Sequence, residues 1–320
     1  MQRRSSRLPL ALVTLVVCAS PAAAGDREAR RFFEKAVEKW NDPNPNLPVK
    51  YALKALEHAR NKVLRTNVLF LLGRLHHSRT GDFAEAEKYY EMVIKENIGV
   101  RDNTLRKIKS DAFRNLGNLI YASKGDVNAA LNKYRASHNT YASPETADTL
   151  SQFLYRIGRD PKKSQAARDR QLEAATKLAR EAIAMDAKKK HRKPSETARY
   201  QLQLLICLLA AGKEEEAKAV ESELRFDKLA DNSLYQQAIL MALRGEDPSK
   251  IAETLHRTLD PRPTPKTRND LRHFIRTEPD FASFLGREDW KDLVSDEPLT
   301  AASEGEGAAE QSSPSSRPVK

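Results

Sequence analysis

Seven histidines, at positions 58, 76, 77, 138, 191, 256 and 273, are the side chains best suited to acid–base or metal chemistry near neutral pH. Their spacing does not gather them. His76 and His77 are adjacent in a stretch of helical pattern, so their side chains diverge by about 100° and cannot face one metal ion. There is no His-Glu-x-x-His, no Cys-x-x-Cys, no Gly-x-Ser-x-Gly and no glycine loop to cradle a phosphate. The glutamates of KEEEAK (213–218) read as a solvated helix face rather than as paired catalytic carboxylates. Cys207, set in LQLLICLLAA, reads as a buried apolar residue. The expectation is a protein without catalytic residues, metal or cofactor, whose chemistry is recognition.

Charge offers one surface for that. The chain carries a net +11, and residues 160–199 hold twelve Lys/Arg against six acids. The densest run is KKKHRK, with Lys188, Lys189, Lys190, Arg192 and Lys193 in a stretch between helical segments. Such a surface attracts anionic material: lipid headgroups, an acidic polymer or an acidic protein. Nucleic acid is not an expected partner, because no aromatic side chains interleave these lysines to stack on bases.

The N-terminus speaks to compartment. Arg3, Arg4 and Arg7 precede an apolar run, LPLALVTLVVCA (8–19), and small residues ending in Ala22-x-Ala24. That is the pattern of a secretory signal peptide over 1–24. This twelve-residue run falls short of the ~20 a spanning helix needs, so no transmembrane segment is expected after cleavage. Around Cys18 the sequence resembles a lipoprotein site only loosely, since Val17 stands where a small residue is wanted, and lipid anchoring there is not the expectation. With Cys18 removed, Cys207 has no disulfide partner, and the domain must be held by its core.

The elements that would position a recognition surface follow from periodicity. Helices are expected over 26–40 and 49–59, separated by the prolines of 41–48, and helical pairs over 66–78 and 82–97, 104–123 and 126–138, 144–158 and 165–186, 195–211 and 213–226, and 232–244 and 248–259. DPRPTP ends the array near 260. A short helix (267–277) and EPDFASFLGREDWKDLV (278–294) follow, and 295–320 reads as a disordered tail. Two pairs share a pattern. GDFAEAEKYY (81–90) returns 44 residues later as GDVNAALNKY (125–134). Gly73 and Gly117 lie on the first helices, and Ala86 and Ala130 on the second, with Tyr90 and Tyr134 one turn beyond. Small residues let two helices approach, and the tyrosines fill the wedge toward the next pair.

These residues resemble the tetratricopeptide repeat, TPR, in Leu72-Gly73…Ala86…Tyr90 and Leu116-Gly117…Ala130…Tyr134, and more loosely through 259. The sequence departs from the pattern in an extra residue between paired glycines, a 44-residue period and few closing prolines. The resemblance implies an all-α, right-handed α-solenoid of about five to six helical hairpins over 25–260. It also implies a C-terminal closing segment over 261–294, in which Phe281, Phe284, Trp290 and Leu293 cap the core. In such a superhelix the first helix of each pair lines the concave face. Helical geometry then offers Asn67, Phe70, Arg74 and His77; Asp111, Arg114, Asn118 and Tyr121; and Glu145, Asp148, Gln152 and Tyr155 to a ligand. Asparagine on this face of the family bonds an extended peptide's backbone, and Arg114 with Asn118 looks similar to that arrangement. A full carboxylate clamp is not evident. The expected function is a non-enzymatic scaffold or assembly factor of the bacterial cell envelope, periplasmic, holding a protein or peptide. The alternative is a binder of anionic envelope material through 160–199.

Overall fold

The structure is a computed structural model that describes residues 24–97, 102–259 and 265–296. The leader before Ala24 and the tail beyond Asp296 lie outside the described residues. Within them there are helices and no strand. Helices α1 (Ala24–Glu38) and α2 (Asn46–His58) form a first hairpin, and α3 (Lys62–Leu75) and α4 (Phe83–Lys95) a second. Then come α5 (Asn103–Lys124) with α6 (Val127–Thr140), and α7 (Pro144–Arg159) with α8 (Gln165–Ala187). α9 (Pro194–Ala210) with α10 (Glu214–Glu223), and α11 (Leu234–Leu243) with α12 (Pro248–Leu259), complete six hairpins. Each hairpin packs on the next, and one continuous apolar core runs from Ala29 to Leu293.

The repeated glycine, alanine and tyrosine divide their work differently from the expectation. Gly73 does not chiefly admit Ala86. A Cβ on Gly73 would lie 2.6 Å from Cε1 of Tyr90, and one on Gly117 would lie 2.9 Å from Cε1 of Tyr134. The glycine is there because a fully buried tyrosine ring lies flat on its backbone, and Ala86 and Ala130 sit fully buried one turn earlier. Tyr134 then reaches the next hairpin, with its ring centroid 4.7 Å from that of Phe153. Gly81 and Gly125 end the first stretch of each pair in the left-handed region, at φ 71° and 63°. Asp82 and Asp126 start the second helices by accepting from the backbone N–H of Glu85 and Ala129. The same glycine spacing has two outcomes: α5 runs regularly to Lys124, whereas α3 finishes in a π turn, His76–Thr80.

Gly73→Ala is expected to lower stability by about 1–2 kcal/mol. Overpacking a filled core costs about 1–3 kcal/mol, and the better helix propensity of alanine returns up to about 1 kcal/mol. Gly286, with open space around its Cα, is the control. Thermal melts in which G73A and G286A coincide would refute the assignment.

The C-terminal segment does two things where one was expected. Phe281, Trp290 and Leu293 are fully buried against α11 and α12, with half-buried Phe284 beside them. The indole N–H of Trp290 donates to the carbonyl of Pro248 at 3.2 Å. Before that cap, however, α13 (Pro265–Arg276) turns back along the first-helix face, packing on α5 and on the π turn. A short helix α14 (Lys291–Val294) closes the segment, and the side chains of Arg272 and Arg276 donate to the carbonyls of Asp292 and Val294. Asp296, placed in the tail by the sequence reading, is ion-paired with Arg276 at 2.6 Å.

Candidate functional site

The first-helix face is built mainly by α7. Ser143 and Thr146 form a capping box at its start, and Ala147, Leu150, Phe153, Leu154 and Ile157 turn to the core. The remaining stripe, Thr149, Gln152, Arg156 and Arg159, follows the 3-4-3 spacing of one helix face. On α5 the matching stripe is Asn115, Asn118 and Tyr121. α9 adds Gln203, and α11 adds Tyr235 and Gln236. Together with α13 these elements line a half-open cavity of about 350 Å³.

The wall opposite α13 is rich in carboxamides. Asn118 Oδ1 accepts from Tyr134 Oη at 2.7 Å, and Gln152 Nε2 donates to Asp148 at 2.8 Å. Gln236 Nε2 donates to Gln203 Oε1 at 3.0 Å. No described residue donates to the carboxamide oxygens of Gln152 and Gln236, both of which line the cavity.

The twelve residues expected on this face separate into groups. His77, Asn118, Gln152 and Tyr155 line the cavity. His77 Nε2 lies 3.7 Å from Asp270 of α13. Four of the twelve, Tyr155 among them, are buried and bonded within the chain. Asn67 is buried and donates to the carbonyl of Val63 on its own helix. Asp148 is fully buried in an ion pair with Arg199 of α9, so it joins two hairpins instead of meeting solvent. Tyr121 and Tyr155 are buried because α13 and the residues after it cover them: Tyr121 Oη donates to Thr277 at 2.9 Å, and Tyr155 Oη donates to Asp280. Phe70 is half-buried against Tyr90. Arg74 stacks over Trp40 at 4.8 Å, and Arg114 pairs with Asp111 at 2.8 Å outside the cavity.

Sequence reasoning missed the residues that hold the covering segment. Arg156 lies inside the apolar run FLYRIG, and a charge in such a run signals a buried partner. Its guanidinium donates to Glu278 at 2.7 Å, to Tyr235 Oη at 2.7 Å and to Tyr121 Oη at 3.0 Å. Tyr235 Oη in turn donates to Glu278 at 3.0 Å. Arg159 pairs with Asp280 at 2.7 Å. Burial alone would lower the pKa of Arg156, but Glu278 and the tyrosines outweigh it and keep the cation. Burial pushes the Glu278 carboxyl up and Asp280 adds to this, while Arg156 pulls against both. Glu278 Oε1 is buried without a hydrogen-bond partner.

The basic run is partly neutralised. Lys189 pairs with Glu145, Asp186 and Glu196, and Lys193 pairs with Glu196. Lys188, Lys190 and Arg192 are exposed and pair with no described residue. Burial resists ionisation of Glu145, but Lys189 and nearby donors outweigh it and hold its pKa down to about 2. Cys207 is buried beside Ser151 and Gln203, and burial pushes its thiol up to about 12, which makes it inert. Among the described residues no three His, Cys, Asp or Glu side chains are grouped to hold a metal, and no helix is long and apolar enough to cross a membrane.

Six hairpins stacked in file, with their first helices forming one lined face, define the class: an all-α, tetratricopeptide-like solenoid. The apo form of RapI is similar in structure, with a TM-score of 0.53 at 13% identity, covering 83% of this chain and 95% of that one. A crystal structure of kinesin light chain TPR-like repeats from Podosopora anserina is similar at TM-score 0.45 and 14% identity, over 70% of this chain and 99% of that one. BtubC from P. vanneervenii is similar at TM-score 0.41 and 17% identity, over 71% and 94%. No protein-family model and no curated protein matches the chain.

Proposed function

We propose that this chain is a non-enzymatic scaffold that holds a segment of another protein along its first-helix face. The observation that carries the reading is the row of carboxamides. Asn118, Gln152 and Gln236 come from the first helices α5, α7 and α11 and line one cavity, with Gln203 of α9 buried behind Gln236. A carboxamide offers the same donor and acceptor as a peptide bond, so a row of them suits an extended backbone and is indifferent to its side chains. The stacked-hairpin fold supports a protein partner in the same coarse sense, since solenoids of this kind present extended concave binding surfaces. The leader pattern over 1–24 supports export, and with it an assembly role in the periplasm at the cell envelope. The basic surface favours this less, since Lys189 and Lys193 already have acidic partners.

The test is affinity capture from envelope extracts with residues 25–320 as bait, beside an Asn118→Ala/Gln236→Ala variant and one with 188–193 neutralised. A discrete protein retained in high salt and lost only with the first variant supports the reading. Capture that depends on 188–193 and vanishes in salt overturns it in favour of an anionic partner.

A further inference from the structure

The face just assigned to a partner is not empty, for the chain's own residues 265–280 lie on it. Their hold is polar and concentrated at one end. Glu278, buried, is gripped by Arg156 and Tyr235, while Asp280 is gripped by Arg159 and Tyr155. Between them Thr277 accepts from Tyr121 at 2.9 Å and from Arg156 at 3.2 Å. Five side chains from α5, α7 and α11 thus read three polar residues of TEPD (277–280). Upstream, Phe274 lies over Tyr121, with ring centroids 5.0 Å apart, and Asp270 meets His77.

Capping alone does not call for this. Phe281, Trp290 and Leu293 already close the apolar end on α11 and α12. Residues 265–280 reach past that end to α5 and the π turn, and they are held by groups that any second carboxylate could satisfy equally well. A buried ion pair contributes little net stability against an equivalent replacement, because each partner loses its hydration either way. The orphaned Oε1 of Glu278 shows that the fit is imperfect. Tethering offsets this: a segment joined to its site competes at an effective concentration of the order of millimolar.

We propose that residues 265–280 are a built-in occupant of the groove, held by a two-carboxylate lock at Glu278 and Asp280, and that a partner segment bearing two carboxylates at the same spacing enters by displacing them. This rests on the peptide-holding reading above and names both its partner chemistry and its control.

The probe is a fluorescein-labelled synthetic peptide of residues 265–282, titrated into the full chain and followed by anisotropy. The full chain carrying Glu278→Gln and Asp280→Asn is expected to bind it at least about tenfold tighter than the wild type, as loss of tethered competition requires. Thr277→Val, which removes only a hydroxyl, should fall between. Adding Arg159→Gln to the double variant should abolish the gain, and a probe with both acids amidated should not bind. Amide exchange over 265–280 should accelerate in the same order while α9 stays protected, which establishes that the array is folded. Faster exchange with wild-type affinity for the probe would overturn the lock, as would equal binding of the amidated probe. Unaltered exchange over 265–280 in every variant would also overturn it. Each of these failures leaves the capture experiment standing. Loss of capture by wild type and double variant alike would instead remove the scaffold reading.

Discussion

Arg156→Ala should be the most damaging single substitution on the first-helix face, costing up to about 3–5 kcal/mol. That is the range for removing one member of a buried ion pair, because the other is left desolvated and uncompensated. Here the stranded group is Glu278, whose side chain is 1% exposed. Tyr121 and Tyr235 also lose the guanidinium between them. The cost has a ceiling, since Glu278 can regain water if residues 265–280 leave the face. The melt of R156A should therefore be accompanied by rapid amide exchange over that segment. A double replacement, Arg156→Met with Glu278→Leu, is expected to recover most of the loss, because an apolar pair of similar volume is often as stable as the ion pair it replaces. A double variant no more stable than R156A would show that the arginine acts through something other than Glu278.

Trp290→Ala should cost about as much, some 3–5 kcal/mol, by a different route. Truncating a fully buried aromatic loses its transfer free energy and leaves a cavity that the surroundings fill only in part. Trp290 packs against Phe281 at 5.5 Å and Phe284 at 5.2 Å between ring centroids, and its N–H is bonded to Pro248. These contacts seal the last hairpin, so the damage should begin at α11 and α12, whereas that of R156A begins on the groove face. Phe281→Leu, which keeps most of the volume, should cost much less. A W290A protein that melts with the wild type would exclude a capping role for this segment.

The two repeated glycine–alanine–tyrosine sets were legible as hairpins because their members are local, although which of them meets the glycine was not: it is the tyrosine ring, not the alanine. Tyr90 lies seventeen positions after Gly73, and Tyr134 seventeen after Gly117, within one hairpin each, so spacing alone brings them together. The capping aromatics were legible for a similar reason: large apolar residues after the last hairpin must cover its open face. The segment over the groove was not. Its hydrogen bonds to α5 and α7 join residues 118 to 156 positions apart, as between Arg156 and Phe274 or Tyr121 and Thr277, and helical period reports which residues share a face without saying what covers it. Tyr121 and Tyr155 therefore lie on the first-helix side, as the period requires, yet under a cover that the period could not report. Asp148 failed differently, since its partner Arg199 comes from the next hairpin's first helix. Asn118 and Gln152, which need only point inward, follow from period alone.

A file of hairpins in contact only with their neighbours behaves like a row of beads, losing order from whichever end is weaker. Residues 265–280 join the π turn of the second hairpin to α5, α7 and α11, so here the row is tied into a loop. Tying it couples hairpins that share no direct surface and fixes the pitch of the coil. The wild-type chain should then melt in one transition, and a chain with the tie undone should melt in stages. Entry of a partner would accordingly change the mechanical state of the whole coil, turning a stiff ring into an extensible spring.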